Sequence, residues 1–305
     1  MLLAAGRGER MAPLSDVVAK PALEVLGQPL LASAFAALRT ARCSRIVTNL
    51  HRHPALVAAA ARAASGGTVQ FTWEPELLGG AGGVAAARPL FDGGPVLVAN
   101  ADVWAELDLG GLLAPADDGA TLALLPHPDP ERWSSVVLER NGTVSAFLPA
   151  AASDRRERFL FTGFQALGAR VVRDLPAGHC EMITVWDALR RRGALRGVVV
   201  SGIWREAGDP TAYRDLVLAL LNGASWVHPH ATVAPDVKLS AAAIGAGCRV
   251  GAGASVVESV LTAGACIGPS VQLARCVVAG DLTLEAGTRL RDTLVLPRQR
   301  MALPR

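Results

Sequence analysis

Two different hydrophobic rhythms divide this chain. In the first two thirds, short continuous apolar runs alternate with alanine-rich stretches of helical length. Met1–Ala5 (MLLAA) and Pro95–Ala99 (PVLVA) are such runs and read as strands, and Arg45–Leu50 (RIVTNL) and Val69–Trp73 (VQFTW) read as the second and third strands between them. Continuous runs, rather than alternating ones, mark strands covered on both faces, as in a largely parallel sheet. Residues 30–40 read as the helix between the first two. From Trp226 onward the rhythm changes. Aliphatic residues recur at Val227, Val233, Leu239, then Ile244, Val250, Val256, then Leu261, Ile267, Leu273, then Val278, Leu284, Leu290, then Val295. The steps run six, six, five, and glycine and other small residues fill the gaps. A short fixed period predicts a solenoid in which each repeat buries its apolar face on the next. Three inward aliphatics per repeat predict a left-handed parallel β-helix of the hexapeptide type. The predicted organisation is therefore an α/β domain over 1–222 followed by a β-helix over 226–305.

Composition narrows the class. Hydrophobic residues are 51% of the 305 and charged residues 19%, which excludes long disorder. The net charge of +3, without basic runs, gives no signature of nucleic-acid binding. Mean hydropathy is +0.32, yet no apolar segment has the length of a membrane span, and the stretch 30–38 is too short and too late for a secretory signal. Cys43, Cys180, Cys248, Cys266 and Cys276 are odd in number and form no CxxC pair, so they are expected to be buried small hydrophobes in a reducing cytoplasm.

Candidate chemistry starts where the first strand ends. Gly6-Arg7-Gly8 allows backbone N–H groups to approach phosphate oxygens. Arg10 adds a planar fork of donors and Lys20 a compact positive charge. Asp102 follows the strand Pro95–Ala99, at the carboxyl end where open α/β sheets bind ligands, and is a candidate Mg²⁺ ligand. The segment Gly79-Gly80-Ala81-Gly82-Gly83 holds four glycines in five residues, which predicts a loop lying against a flat ligand rather than a helix interior.

The opening string LAAGRGERMAPL, followed by Lys20-Pro21 and by Gly27-Gln28-Pro29-Leu30, resembles the sugar-1-phosphate nucleotidyltransferases. The likeness extends over about the first 220 residues. It implies a Rossmann-like, GT-A-like mixed sheet and a reaction in which an NTP and a sugar 1-phosphate give an NDP-sugar and pyrophosphate. It implies nucleotide binding by Ala4, Ala5, Gly6, Gly8, Gly79, Gly80, Ala81 and Gly82, with Gly6, Gly8 and Arg10 at the β- and γ-phosphates. Lys20 would meet the α-phosphate or the sugar phosphate. Asn100, Gly163 (in Phe159–Phe164, FLFTGF) and Glu181 would contact the sugar phosphate, although Glu181 reads equally well as an acid at a helix start. Mg²⁺ would be held by Asp102 and by Glu206 of Trp204-Arg205-Glu206-Ala207-Gly208-Asp209.

Three positions depart from the family pattern. Gly80 stands for threonine, Ala101 for glycine beside the expected substrates, and Glu206 for aspartate. Relatives also carry residues before the first strand, which implies a short strand or an upstream start. The pairing of this domain with a β-helix resembles the mannose-1-phosphate guanylyltransferase type, which favours GTP and implies a homo-oligomer formed through the β-helix. UTP or dTTP with another sugar 1-phosphate, or a non-catalytic scaffold, are the alternatives. Hexapeptide solenoids that transfer acyl groups need a coil-edge histidine. Here the only histidines near the coils, His228 and His230, precede the first full repeat.

Overall fold

The computed structural model describes residues 1–112 and 116–304. Contacts divide it into two compact units, Met1–Arg7 with Leu31–Trp204, and Gly8–Leu30 with Arg205–Arg305.

The first unit is built on a nine-stranded mixed sheet, counted among the described residues. Its parallel half runs Val96–Asn100, Leu2–Leu3, Ile46–Leu50, Val69–Trp73, in that order across the sheet. Leu2 pairs with both Thr48 and Ala99, so the short first strand sits between the second and fourth apolar runs. On the other side of Val96–Asn100 the long strand Phe159–Leu167 runs antiparallel, with Phe164 opposite Ala99. Ser135–Leu138, Val144–Leu148, Ala120–Pro126 and Leu195–Val199 extend this half. The central strands Ile46–Leu50 and Val96–Asn100 are buried, whereas Val69–Trp73, at the end of the parallel half, is only half-buried and leaves Trp73 exposed. Val47, Val98, Leu122 and Leu167 have no exposed surface, and with Ala81, Val84 and Leu195 they form part of one continuous core.

The expected loop at the glycine-rich segment is instead a helix, Gly79–Ala87. Each helical glycine costs about 1 kcal/mol relative to alanine, so something must offset that cost. Close packing does. The N–H groups of Ala81 and Gly82 both donate to the Cys180 carbonyl, at 3.0 and 3.1 Å, and Cys180 N–H donates to the Leu78 carbonyl at 2.8 Å. A Cβ on Gly82 would lie 2.3 Å from the Gly178 carbonyl, and one on Gly83 would lie 2.8 Å from Glu74 Oε1. The glycines let the helix lie directly on backbone.

The second unit contains the coils. Val227, Ile244, Leu261, Val278 and Val295 pair in parallel register down one sheet. Val233, Val250, Ile267 and Leu284 pair down a second, and Leu239, Val256, Leu273 and Leu290 down a third. This is the register that the six-six-five spacing predicts. Val227 in the first coil pairs in this register but is exposed rather than buried. Ala241, Glu258, Arg275 and Asp292, spaced by one coil each, adopt positive φ at one corner, and the Arg275 guanidinium pairs with both Asp292 oxygens across adjacent coils.

The coils do not stand apart at residue 222. Helix Pro210–Leu221 and the hairpin Glu24–Val25 with Gln28–Pro29 belong to the same unit. The hydroxyl of fully buried Tyr213 donates to the Glu24 carbonyl, and Arg214 Nη1 donates to the Arg275 carbonyl at 3.1 Å. The contact-based division therefore falls elsewhere than the composition shift suggested.

All five cysteines are free. Cys248 and Cys276 are buried, but Cys43, Cys180 and Cys266 are only half-buried, against the expectation for the whole set. Among the described residues no helix is long and apolar enough to cross a membrane.

Candidate functional site

In the first unit the candidate residues gather at the carboxyl ends of the parallel strands. Val96–Asn100 is the strand at which pairing switches from parallel to antiparallel. Such a switch point opens a crevice beyond the strand ends. Asn100 ends this strand, and Ala101 and Asp102 form the turn that follows. Asp102 is half-buried. Ala101 is 0% exposed, and its N–H donates to the Leu3 carbonyl at 3.0 Å. The extra methyl is thus covered by protein and does not project toward a ligand, contrary to the expectation drawn from the family pattern.

Gly163 meets Asn100 directly. It lies in the strand Phe159–Leu167 at φ +89°, where pairing with Ala120–Pro126 slips between Phe161 and Gln165. A Cβ there would be 3.1 Å from Asn100 Cβ, so glycine gives the Asn100 side chain its room. Neighbouring Thr162 is fixed on both sides. Its Oγ1 donates to the Ala123 carbonyl at 2.9 Å, and its own carbonyl accepts Trp204 Nε1–H at 2.9 Å.

Gly79 and Glu181 are also brought together, since a Cβ on Gly79 would lie 2.9 Å from Glu181 Oε1. Glu181 precedes the helix Met182–Arg191 but makes no side-chain cap; its carboxylate instead lies 3.3 Å from His179 Nε2. Gly79 and Gly80 are half-buried, whereas Ala81 and Gly82 are buried with their N–H groups already spent on Cys180. Of the glycine segment, only its first two residues can offer backbone N–H groups to a nucleotide.

Sequence reasoning missed the polar network that fixes these strand ends. Glu74, 1% exposed, accepts Asn49 Nδ2–H at 2.6 Å and Leu78 N–H at 3.1 Å. Asn49 Oδ1 accepts Ala4 N–H at 2.8 Å. One carboxylate and one amide thereby tie the ends of three strands to the start of the glycine helix. Every partner of such a buried network must be present, because an unpaired buried polar group is costly. Its signal was available: Asn49 and Glu74 are polar residues closing apolar runs, as Asp102 is.

In the second unit Gly8 turns the chain at φ +64°, and a Cβ on it would touch Ser15 Cβ at 3.4 Å and approach Lys20 Cβ at 3.8 Å. Gly6, in the first unit, is exposed with open space around its α-carbon. Lys20 is 9% exposed. Arg10 and Glu206, predicted to serve phosphate and metal separately, are in contact, Arg10 Nη2 to Glu206 Oε1 at 2.8 Å. The Arg10 side chain is 69% exposed and that of Glu206 only 11%. A pair with one partner so open contributes about 1 kcal/mol or less, so an incoming anion can draw Arg10 away cheaply. Gly208 lies beneath the carboxylate, and Asp209 caps the helix Pro210–Leu221 by accepting Ala212 N–H at 2.8 Å.

Among the described residues no cluster of three or more metal-ligating side chains occurs. Asp102 and Glu206 are still donors of the kind Mg²⁺ takes. It binds through one or two carboxylates, retained waters and substrate phosphates, so a dense protein cage is not required.

Comparisons with known proteins give the family. A family model described as Nucleotidyl transferase matches residues 1–222. The N-acetylmuramate alpha-1-phosphate uridylyltransferase of Neisseria meningitidis serogroup B is 42% identical over 224 residues, 68% of this chain and 92% of that protein. The enzyme of the same name from Caulobacter vibrioides is 31% identical, over 70% of this chain and 92% of its own length. The mannose-1-phosphate guanylyltransferase of Mycobacterium tuberculosis is 27% identical over 94% of this chain and 81% of its own. The crystal structure of HddC from Yersinia pseudotuberculosis shares the fold at a TM-score of 0.61 and 20% identity, covering 72% of this chain and 97% of that one. With the glycine turn, the Asn100–Asp102 strand end and these relatives in view, the chain belongs to the nucleotidyl transferase family, as an enzyme of the sugar-1-phosphate nucleotidyltransferase type.

Proposed function

We propose that this enzyme transfers a uridylyl group from UTP to N-acetylmuramate 1-phosphate or a closely similar amino-sugar phosphate, releasing pyrophosphate. The observation that carries the reading is the 42% identity, over 92% of its length, to a protein named for that reaction. GTP with mannose 1-phosphate is the second reading. It is favoured by the relative that aligns with 94% of this chain, coils included.

The chemistry needs no covalent intermediate. An ionised phosphate oxygen of the sugar phosphate attacks the α-phosphorus, the new O–P bond forms as the bond to the β-phosphate oxygen breaks, and the electron pair leaves with pyrophosphate. Catalysis is then positioning plus neutralisation of charge. In this reading Gly6, Gly8 and Arg10 receive the β- and γ-phosphates, and Arg10 exchanges Glu206 for phosphate. Lys20 answers the charge at the α-phosphate. Its burial strengthens that interaction, because water does not screen it. Gly79 and Gly80 flank the base and ribose. Asn100, seated over Gly163, and Glu181 orient the sugar phosphate. Mg²⁺ would be held by Asp102, and when bound it supplies Lewis-acid charge neutralisation at the α-phosphate. We place the reaction in the cytoplasm with its nucleotide substrate, and assign self-association to the flat coil faces.

The deciding experiment is pyrophosphate release by the full chain with UTP, GTP, dTTP, CTP and ATP, each against N-acetylmuramate 1-phosphate and mannose 1-phosphate. The highest kcat/KM is expected for UTP with the amino-sugar phosphate. A higher value for GTP with mannose 1-phosphate overturns the first reading in favour of the second.

A further inference from the structure

The stretch Leu14–Pro29, which carries Lys20, lies along the coils at several successive levels. At one end, Gly27 adopts φ +81° under the Trp226 indole of the first coil, where a Cβ would be 3.0 Å from the ring. In the middle, Glu24 Oε2 lies on Gly245, 2.9 Å from where a Cβ would be, between the second and third coils. Burial pushes the Glu24 carboxyl pKa up, while nearby His228 and the backbone N–H groups of Ala246, Ala263 and Gly27 pull it back. At the other end, a Cβ on Gly280 of the fourth coil would lie 3.1 Å from Val17 Cγ1. On the coil side two of the three anchors, Gly245 and Gly280, are glycines, so the stretch rests on bare backbone at two levels, and at the remaining level the strap's own Gly27 lies against the Trp226 ring. The hairpin is closed by Leu30 N–H donating to the Leu23 carbonyl at 2.8 Å, and Tyr213 fastens the Glu24 carbonyl from the helix side. Lys20 falls between the Val17 and Glu24 anchors.

We propose that the β-helix is a splint for the Lys20 strap, and that Glu24 is a positioning residue which, through the coil backbone at Gly245, fixes where the Lys20 ammonium is presented. This rests on the reading of Lys20 as the phosphate-binding cation. The physical need is clear. Lysine has a long flexible side chain, and holding its charge to one place requires a fixed backbone beneath it. A repetitive solenoid edge supplies that stiffness, since every coil is pinned by its neighbours.

The test is a double-mutant cycle in the full chain with the most active nucleotide and sugar-phosphate pair. The variants are Lys20→Ala, Glu24→Ala, Glu24→Gln and the Lys20→Ala/Glu24→Ala double, read as kcat and KM for nucleotide beside melting temperature. Displacing a reacting or binding group by about 1 Å can cost up to about 10²-fold, so Glu24→Ala is expected to lower kcat/KM by about 10-fold or more. Glu24→Gln, which still presents an oxygen to the same N–H groups, should stay within about threefold of the parent. In the Lys20→Ala background Glu24→Ala should cost less than about twofold more, while still lowering the melting temperature by its full amount. If the two losses multiply in full, or if Glu24→Ala alone leaves kcat/KM unchanged, the splint is refuted. If Lys20→Ala is itself nearly as active as the parent, the phosphate reading of Lys20 fails instead. Hydrogen exchange then judges the splint separately: faster exchange of the amides of residues 14–24 in Glu24→Ala supports it, and unchanged exchange overturns it. Should Glu24→Ala not fold, Glu24→Asp, which withdraws the carboxylate from Gly245, takes its place in the cycle.

Discussion

If the glycines of Gly79–Ala87 serve close packing, then Gly82→Ala should destabilise the first unit although it improves helix propensity. Alanine gains about 1 kcal/mol in a helix interior. Against this, the new Cβ would stand 2.3 Å from the Gly178 carbonyl oxygen, 3.0 Å from Leu78 Cβ and 3.2 Å from Cys180 N. Backbone cannot rotate away as a side chain can, so helix and segment must separate by about 1 Å to restore van der Waals contact. That movement stretches the three bonds that dock them, Ala81 and Gly82 N–H to Cys180 and Cys180 N–H to Leu78. Three such bonds are worth about 0.5–1.5 kcal/mol each, and overpacking of this size costs about 1–3 kcal/mol. The net loss should be about 2–3 kcal/mol, or roughly 5–10 °C in the melting temperature of a unit of about 180 residues. Gly80→Ala is the control. Its Cβ would meet Met182 Cβ at 3.3 Å and Leu3 Cδ1 at 3.7 Å, so the variant should remain within about 1 kcal/mol of the parent. Urea unfolding of the three proteins measures both. If Gly82→Ala is as stable as the parent, the packing argument is wrong and the glycines are there for another reason.

Asp102→Asn should fold as the parent does and lose about 10²-fold or more in turnover, since a bound metal's charge is worth several kcal/mol in the transition state; turnover within a few-fold removes Asp102 from metal binding. Ending the chain at Asn222 removes the coils that Glu24 and Arg214 rest on, so the product is expected to be insoluble or molten by near-UV circular dichroism rather than an intact domain. The folded carboxyl of Glu24 is held above its ordinary value, so the folded state keeps its proton longer than the unfolded chain, and stability falls as pH rises from the ordinary carboxylate range through the raised value. Glu24→Gln should therefore flatten that part of the melting-temperature-versus-pH curve and raise stability at neutral pH; parallel curves would show that Glu24 carries no such burden. Ala101→Gly, which deletes a methyl from a fully buried site, should cost about 1–2 kcal/mol and leave kcat/KM unimproved, while a gain in kcat/KM would show that the methyl does obstruct substrate.

The coils were legible from sequence because their rule is local. One aliphatic every five or six residues fixes both strand position and partner, and Val227, Ile244, Leu261, Val278 and Val295 pair as spaced. The parallel strands were legible for a related reason: a buried strand announces itself by an unbroken apolar run, and the run Pro95–Ala99 is observed as the strand Val96–Asn100. The glycine helix was not legible. Propensity describes a residue in isolation, whereas Gly82 and Gly83 answer to a carbonyl 96 residues away at Gly178 and a carboxylate at Glu74. The partition of the chain was hidden for the same reason, because Glu24 and Gly245 are distant in sequence and neither carries a periodic signal.

The departures from the family pattern show how a substitution's meaning changes once its surroundings are known. By sequence, Ala101 and Glu206 looked like two flaws in one metal site. In the structure they are different matters. Ala101 is enclosed, so its methyl is a packing choice at a strand end that Leu3 already holds by hydrogen bond. Glu206 has a job that its length suits: its carboxylate is nearly buried over Gly208, yet reaches Arg10, whose side chain is mostly in water. On the proposed reading, the longer acid keeps Arg10 oriented while the phosphates are absent, at the small cost an exposed pair implies, and surrenders it when they arrive. A shorter aspartate at this position would be expected to release Arg10 in the free enzyme and weaken nucleotide binding, with KM rising while kcat holds, because positioning before binding is what the pair contributes.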